Sequence, residues 1–191
     1  MAIKRCIWAE NNERYVEYHD KEWGNPVRNN DQVLFEALSL EELSDGFSRL
    51  IVLERRNDIR NAFENFIPEK LALLDDDAIM KLISNSKIIR HKPKIQAIVS
   101  NSRAILALKV EFASLSDFLW GFVGGKPIQN SWSSFNLIPS ESLQSKSMSK
   151  ELQKRKFKRV SSKICYSFMQ SVGMVNDHTV DCFRYEEIKH L

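Results

Sequence analysis

The chain contains no apolar run of transmembrane length, and its first residues, Met1-Ala2-Ile3-Lys4-Arg5-Cys6, contain no long hydrophobic stretch. Neither a membrane partner nor a signal peptide is expected. It has only three cysteines, which cannot all pair, so a disulfide framework is not expected and a reducing, cytoplasmic setting is. It has little charge of one sign: a net +3 and a pI near 8.7 permit an acidic partner only through a local basic footprint. It shows no internal repeat and no convincing period-two alternation. What remains is 191 residues, 43% hydrophobic and 28% charged, enough to bury a core as one domain or two small lobes.

The apolar periodicity is helical throughout, so the expected class is all-α. Val33, Leu34, Ala37 and Leu38 form one stripe, with Asp31 as the expected cap, running to about Leu43 before Gly46. A second pattern covers Ile51, Ile59, Ala62, Phe63 and Phe66 and stops before Pro68. Asp75-Asp76-Asp77 places negative charge at the start of a helix carrying Ile79, Leu82 and Ile83. Ile95, Ile98, Val99, Ser102, Ile105 and Leu106 make another stripe, with Pro93 suited to its first turn. A short aromatic helix spans Phe118 to Val123. Lys126 to Lys146 reads as a long connection, followed by helices around Met148–Arg155 and Ser162–Val172. Cys165, inside the last of these, reads as a small buried hydrophobe.

Three groups of residues carry chemistry. Cys6 and His19 near the start, with His178 and Cys182 near the end, form a donor set of two thiolates and two imidazoles. That set suits tetrahedral zinc, and H-x3-C spacing puts its second pair on one face if the segment is helical. Four protein ligands leave no open position, so the expected zinc is structural. Arg90, His91, Lys92 and Lys94 surround a short turn between two helices, where backbone N–H groups and charge can hold a DNA phosphate; the plain alternative is a solvated loop. Glu41 shares the buried stripe of Leu34, Ala37 and Leu38, whereas Glu36 and Glu42 fall outside it and read as solvated. A buried carboxylate either pairs, with Arg49 as the candidate partner, or performs chemistry. The aromatic residues Trp8, Tyr15, Tyr18 and Trp23 suit a core, or a base turned out of a duplex and stacked between rings.

With these residues in view, nearly the whole chain resembles the bacterial DNA-3-methyladenine glycosylase I family, also called the constitutive Tag glycosylases. The likeness rests on Cys6-x-Trp8, Tyr15-x-x-Tyr18-His19-Asp20-x-Glu22-Trp23-Gly24, Leu34-Phe35-Glu36 with Leu40-Glu41, Ile88-Ile89-Arg90-His91 with Lys94-Ile95, and Tyr166-Ser167-Phe168-Met169-Gln170 with Val175-Asn176-Asp177-His178. It implies a helix-hairpin-helix DNA glycosylase fold with Cys6, His19, His178 and Cys182 ligating zinc. Glu41 would read the edge of the extruded base, lined by Trp8, Tyr15, Tyr18 and Arg49, with Arg90, His91, Lys92 and Lys94 on the DNA. The implied partner is double-stranded alkylated DNA and the implied reaction is hydrolysis of the N-glycosidic bond of 3-methyladenine, leaving an abasic site.

The chain departs from the family pattern in three places. Arg49 stands where a base-stacking tryptophan is expected, and a guanidinium about 5 Å from a cationic base would repel it by roughly 3 kcal/mol at an effective dielectric near 20. Pro93 replaces a glycine in the hairpin, and Lys156 to Lys163 loses two glycines and a threonine. The alternative function is therefore a zinc-stapled DNA-binding homologue with lost or shifted glycosylase activity. The expected organisation is a single monomeric domain over 1–191, with a central lobe at about 31–123 and terminal segments 1–30 and 147–191 joined by zinc.

Overall fold

Side-chain caps set several of the helix starts in the computed structural model, which describes residues 3–191; the first two residues of the expected 1–191 domain lie outside them. Asn12 accepts from the backbone N–H groups of Arg14 and Tyr15 to start α1 (Glu13–Lys21), and Asn30 accepts from that of Val33 to start α2 (Asp31–Ser44). Such caps contribute about 1 kcal/mol each. Asp31 is thus not the cap. Its carboxylate accepts instead from the backbone N–H groups of Leu115 and Ser116, tying α2 to a helix far along the chain.

The single pattern read between Ile51 and Phe66 is broken into α3 (Arg49–Glu54), α4 (Arg56–Ala62) and a 3-10 turn, because Arg55 leaves helical backbone and Asn65 takes φ 53°. Pro68 opens α5 (Pro68–Leu71), where its missing N–H costs nothing. Asp75 caps α6 (Asp76–Ser84), and α7 (Lys92–Leu108) carries Pro93 in its first turn as expected. Ser114 starts α8 at Leu115–Trp120, before the expected Phe118, and the Ser142/Ser145 capping box starts α9 (Leu143–Lys154) before Met148. α10 (Ser162–Ser171) and α11 (Phe183–Lys189) complete the helices. The all-α expectation needs one amendment: β1 (Ile128–Gln129) pairs in parallel with β2 (Val175–Asn176), Ile128 opposite Val175. Two residues are too few to show alternation in a sequence.

The main core joins Leu34, Phe35 and Leu38 of α2 to Ile95, Ile98 and Ile105 of α7 and to Phe168 and Met169 of α10. Residues after 147 therefore share one core with the expected central lobe. Among these elements α2 is surrounded, so its burial extends beyond one stripe. Two carboxylates read as solvated are in fact buried. Glu36 accepts from Arg56 at 2.7 Å and Arg60 at 2.8 Å. Glu42, 1% exposed, has no hydrogen-bond partner for either oxygen; its nearest cation is Arg159, at 3.4 Å.

The N-terminal segment is sewn to residues 172–178 by close backbone approach. Val27 donates to the Val172 carbonyl at 3.0 Å. Gly24 has φ +83°, and a Cβ there would lie 2.8 Å from His178 Nε2; a Cβ on Gly173, at φ +69°, would strike the backbone of Gly24 and Asn25.

Burial holds the Glu42 carboxyl up at about 8 against an ordinary 4.5, with Arg159 opposing the shift. The folded state then binds more protons than the unfolded chain between those values, so stability is full below about pH 4.5 and falls as pH rises through about 8. Glu42→Gln should flatten this loss, which amounts to a few kcal/mol, on the order of 1.4 kcal/mol per unit. Urea unfolding at pH 5 and pH 9 checks this: a wild-type loss no greater than that of the variant removes the assignment.

Candidate metal group and base-binding site

Cys6 precedes a 3-10 turn (Ile7–Ala9) and His19 lies on the last turn of α1, whereas His178 and Cys182 lie in the irregular segment between β2 and α11. The last two therefore share no helical face, contrary to expectation, because the chain turns at Thr179–Asp181 to bring them together. All four are buried and their donor atoms lie within 4.8 Å of one another. Cys6 Sγ is 3.6 Å from His178 Nδ1, and Cys182 Sγ is 3.6 Å from His178 Nδ1 and 3.4 Å from His19 Nε2. The group can hold a metal ion. Asp20 fixes the far nitrogen of His19 at 2.8 Å and is itself gripped by Arg5, while the Trp23 carbonyl lies 3.2 Å from His178 Nε2. A hydrogen bond shared between the thiols raises Cys6 and lowers Cys182 from the ordinary thiol value; a divalent cation would hold both as thiolates. Cys165 stands apart, pushed up to about 12 by burial alone, and matches the expected inert hydrophobe.

The aromatic side chains pack directly on this group. Trp8 meets His19 edge-on with centroids 5.4 Å apart and Trp23 at 5.1 Å, and Trp23 meets His178 at 4.6 Å. On the other side, Trp8, Tyr15, Trp23, Arg49, Phe135, Ser167 and Gln170 line a cavity of about 330 Å³. Its aromatic faces suit a flat ligand. Ser167 and Gln170 stand in the Tyr166–Gln170 block that carries the family likeness but are not among the expected site residues, though being three apart on α10 they had a signal; Phe135 lies in the connection and had none.

Glu41 lies behind that cavity. Its side chain is 5% exposed, and both oxygens accept from Arg49: Nη1 to Oε1 and Nη2 to Oε2, each at 2.6 Å. Arg49 Nη1 also lies 3.4 Å from Tyr18 Oη, and burial raises the Tyr18 phenol, keeping it neutral. Burial works against the Arg49 guanidinium, but the adjacent Glu41 carboxylate more than offsets it and holds it above its ordinary value. Tyr15 accepts from the Leu50 N–H at 3.1 Å, which fixes the start of α3 and with it the root of Arg49. Glu41, Tyr18 and Arg49 also line a second cavity of about 220 Å³, mostly aliphatic and charged.

Of the hairpin residues, Arg90 and Lys92 are exposed. His91 is half-buried, and its Nδ1 accepts from the Lys94 N–H as the cap of α7. Lys94 contradicts its expected role on phosphate. It is 1% exposed, and its ammonium donates to the carbonyls of Leu43, at 2.9 Å, and Asp45, capping the C-terminal end of α2 where carbonyl charge favours a cation. Phe47, 44% exposed, stands between this hairpin and the mouth of the site, 6.1 Å from the His91 ring; it too was missed, since an exposed ring in a turn has no periodicity.

A buried carboxylate behind an aromatic slot, beside two helices joined by a basic turn, has the chemistry of a nucleobase-binding protein. Comparison with known proteins gives the group a family. The methyladenine glycosylase family matches residues 8–185. The DNA-3-methyladenine glycosylase of Haemophilus influenzae is 44% identical over 181 residues, covering 93% of this chain and 96% of that protein. A crystal structure of 3-methyladenine DNA glycosylase I superposes with a TM-score of 0.91 at 42% identity, over 94% of this chain and 98% of that one. A tyrosine-to-phenylalanine variant of such an enzyme in complex with 3-methyladenine gives 0.90 at 29% identity, over 94% and 96% of the two chains. The chain belongs to the methyladenine glycosylase family.

Removing only the carboxylate strands a guanidinium beside Tyr18. Glu41→Ala should cost about 2–3 kcal/mol, less than the 3–5 of a fully buried pair because water reaches part of Arg49. Adding Arg49→Met should restore part of it. Urea midpoints test this, and a Glu41→Ala protein as stable as wild type overturns it.

Proposed function

We propose that the protein is a base-excision repair glycosylase that hydrolyses the N-glycosidic bond of 3-methyladenine in double-stranded DNA and leaves an abasic site. The observation that carries this reading is Glu41 buried behind Arg49, the residue that walls an aromatic cavity of about 330 Å³, in a chain whose relatives are named for that activity. The reading of lost or shifted excision is not favoured by those names. 3-Methyladenine in DNA is cationic, so its glycosidic bond is already weakened and its departure needs no strong general acid. The site has to hold the everted base between rings, accept its amino N–H, and complement positive charge that passes to the sugar. Trp8, Tyr15 and Trp23 supply the faces and Glu41 the acceptor. Water then adds to the anomeric carbon, and no lysine is required as a nucleophile. Arg90 and Lys92, with the N-terminal end of α7, supply the phosphate contacts, and the exposed Phe47 suits a wedge into the base step left open by eversion.

Zinc is the ion assigned to the metal group. Around tetrahedral zinc, sulfur and nitrogen donors stand about 3.6 Å apart; three of the four sulfur–nitrogen pairs here are 3.4–3.6 Å apart, and all donor atoms lie within 4.8 Å. When bound, the ion supplies no chemistry to the base; Cys6 and His19 are held to His178 and Cys182, and that hold places Trp8 and Trp23.

Two measurements test these assignments. Incubation with methylated DNA and chromatography of the released bases should show 3-methyladenine, reduced at least about a hundredfold by Glu41→Gln, a loss of about 2.7 kcal/mol of transition-state stabilisation. Release no greater than in the variant removes the reading. Elemental analysis should find one zinc per chain, and Cys182→Ala should lose it and melt several degrees lower; a metal-free wild type of equal stability removes zinc.

A further inference from the structure

The aromatic cavity does not reach Glu41. Its wall on that side is Arg49, whose guanidinium covers both carboxylate oxygens. A flat, delocalised cation with N–H donors on one edge already occupies the acceptor that the proposed base requires. The geometry points to Arg49 as an internal occupant of the base site: a plug that must leave Glu41 before any base can bind there, and that returns when the product is formed. This inference rests on the glycosylase reading and adds to it how base retention is set.

Three features let the plug move. Arg49 is the first residue of α3, its backbone held through Tyr15 and Leu50, so a swing is confined to its long side chain. That side chain is 28% exposed, unlike Glu41. It also lines, with Glu41 itself, a cavity of about 240 Å³ shared with Asp45, Phe47, Lys163 and Ser167, which gives a displaced guanidinium room beside the carboxylate. The Asp45 side chain there is 52% exposed; its Oδ2 already meets Arg159 at 3.3 Å, and Oδ1 is left to accept from a displaced guanidinium.

The consequence follows from population arithmetic. If the binding-competent state is the minor one, with Arg49 swung out, every base that uses Glu41 loses apparent affinity by the same factor. An unmodified purine, which gives Glu41 no charge in exchange, then falls below useful occupancy, while the methylated cation replaces one positive partner with another. Scission reverses the balance. The C1′–N9 bond breaks with its electron pair left on N9, which neutralises the base. Water adds to the anomeric carbon and releases a proton to solvent. The neutral 3-methyladenine has no charge with which to hold Glu41, and Arg49 takes the carboxylate back.

Calorimetric titration with two small probes tests the plug: 3,9-dimethyladeninium, a permanent cation whose N9 methyl stands for the sugar, and neutral 9-methyladenine. In Arg49→Met both should bind at least about tenfold more tightly than to wild type, by a similar factor, with Arg49→Lys between the two because an ammonium holds the carboxylate at one point only. A gain by the cation alone would mean that Arg49 stays in place and repels it, and a loss by both would mean that it stacks on the base; either overturns the plug. Melting curves establish that the variants are folded, and if Arg49→Met is not, the Arg49→Lys result decides alone. The base-release assay keeps the two readings apart. Release by wild type with no gain by the probes sinks only the plug, whereas a gain by both probes without release sinks only the excision reaction.

Discussion

Two thiols and two imidazoles from opposite ends of the chain meet in one buried group, and the walls of the cavity are built on that meeting. Trp8 and Trp23 rest against His19 and His178, so the slot for a flat ligand is an extension of the metal group rather than a separate feature. The seam is closed at backbone level, where Gly24 and Gly173 permit an approach that any side chain would block. The packing of these rings on the buried group ties the N-terminal aromatic residues to the C-terminal segment.

The second constraint is the burial of three glutamates on α2, each resolved differently. Glu36 is neutralised by Arg56 and Arg60. Glu41 is held by a bidentate guanidinium at the edge of the cavity. Glu42 has Arg159 at 3.4 Å but no hydrogen bond among the described residues, and burial pushes its carboxyl up to about 8. A carboxylate in low dielectric must either find a cation or keep its proton. Of the three, Glu41 is the one whose partner also walls the aromatic cavity beside Trp8 and Tyr15.

The stripes on α2, α6, α7 and α10 were legible because each has one dominant apolar face over several turns. Glu41 was legible as buried because it shares that face. Glu36 and Glu42 were misread by the same logic, since a helix enclosed on all sides has no solvated face for periodicity to reveal. Lys94 was misread because a lysine beside an exposed arginine looks basic and free, while its actual partners are carbonyls of a helix fifty residues earlier in the chain. The break at Arg55 and the two-residue pairing of Ile128 with Val175 left no pattern long enough to detect.

The sequence by itself determined the helical class, the donor set at Cys6, His19, His178 and Cys182, the buried acid at Glu41, and the family, because residue type and spacing carry these directly. Only the tertiary structure decided where each charge ends up. It placed His178 and Cys182 on a turn instead of a helix, removed Lys94 from the hairpin surface, and decided between the two roles open to Glu41 by pairing it with its candidate partner Arg49. The reason is physical: periodicity reports which face of an element is apolar, whereas the partner of a buried charge is fixed by which remote segment packs against it.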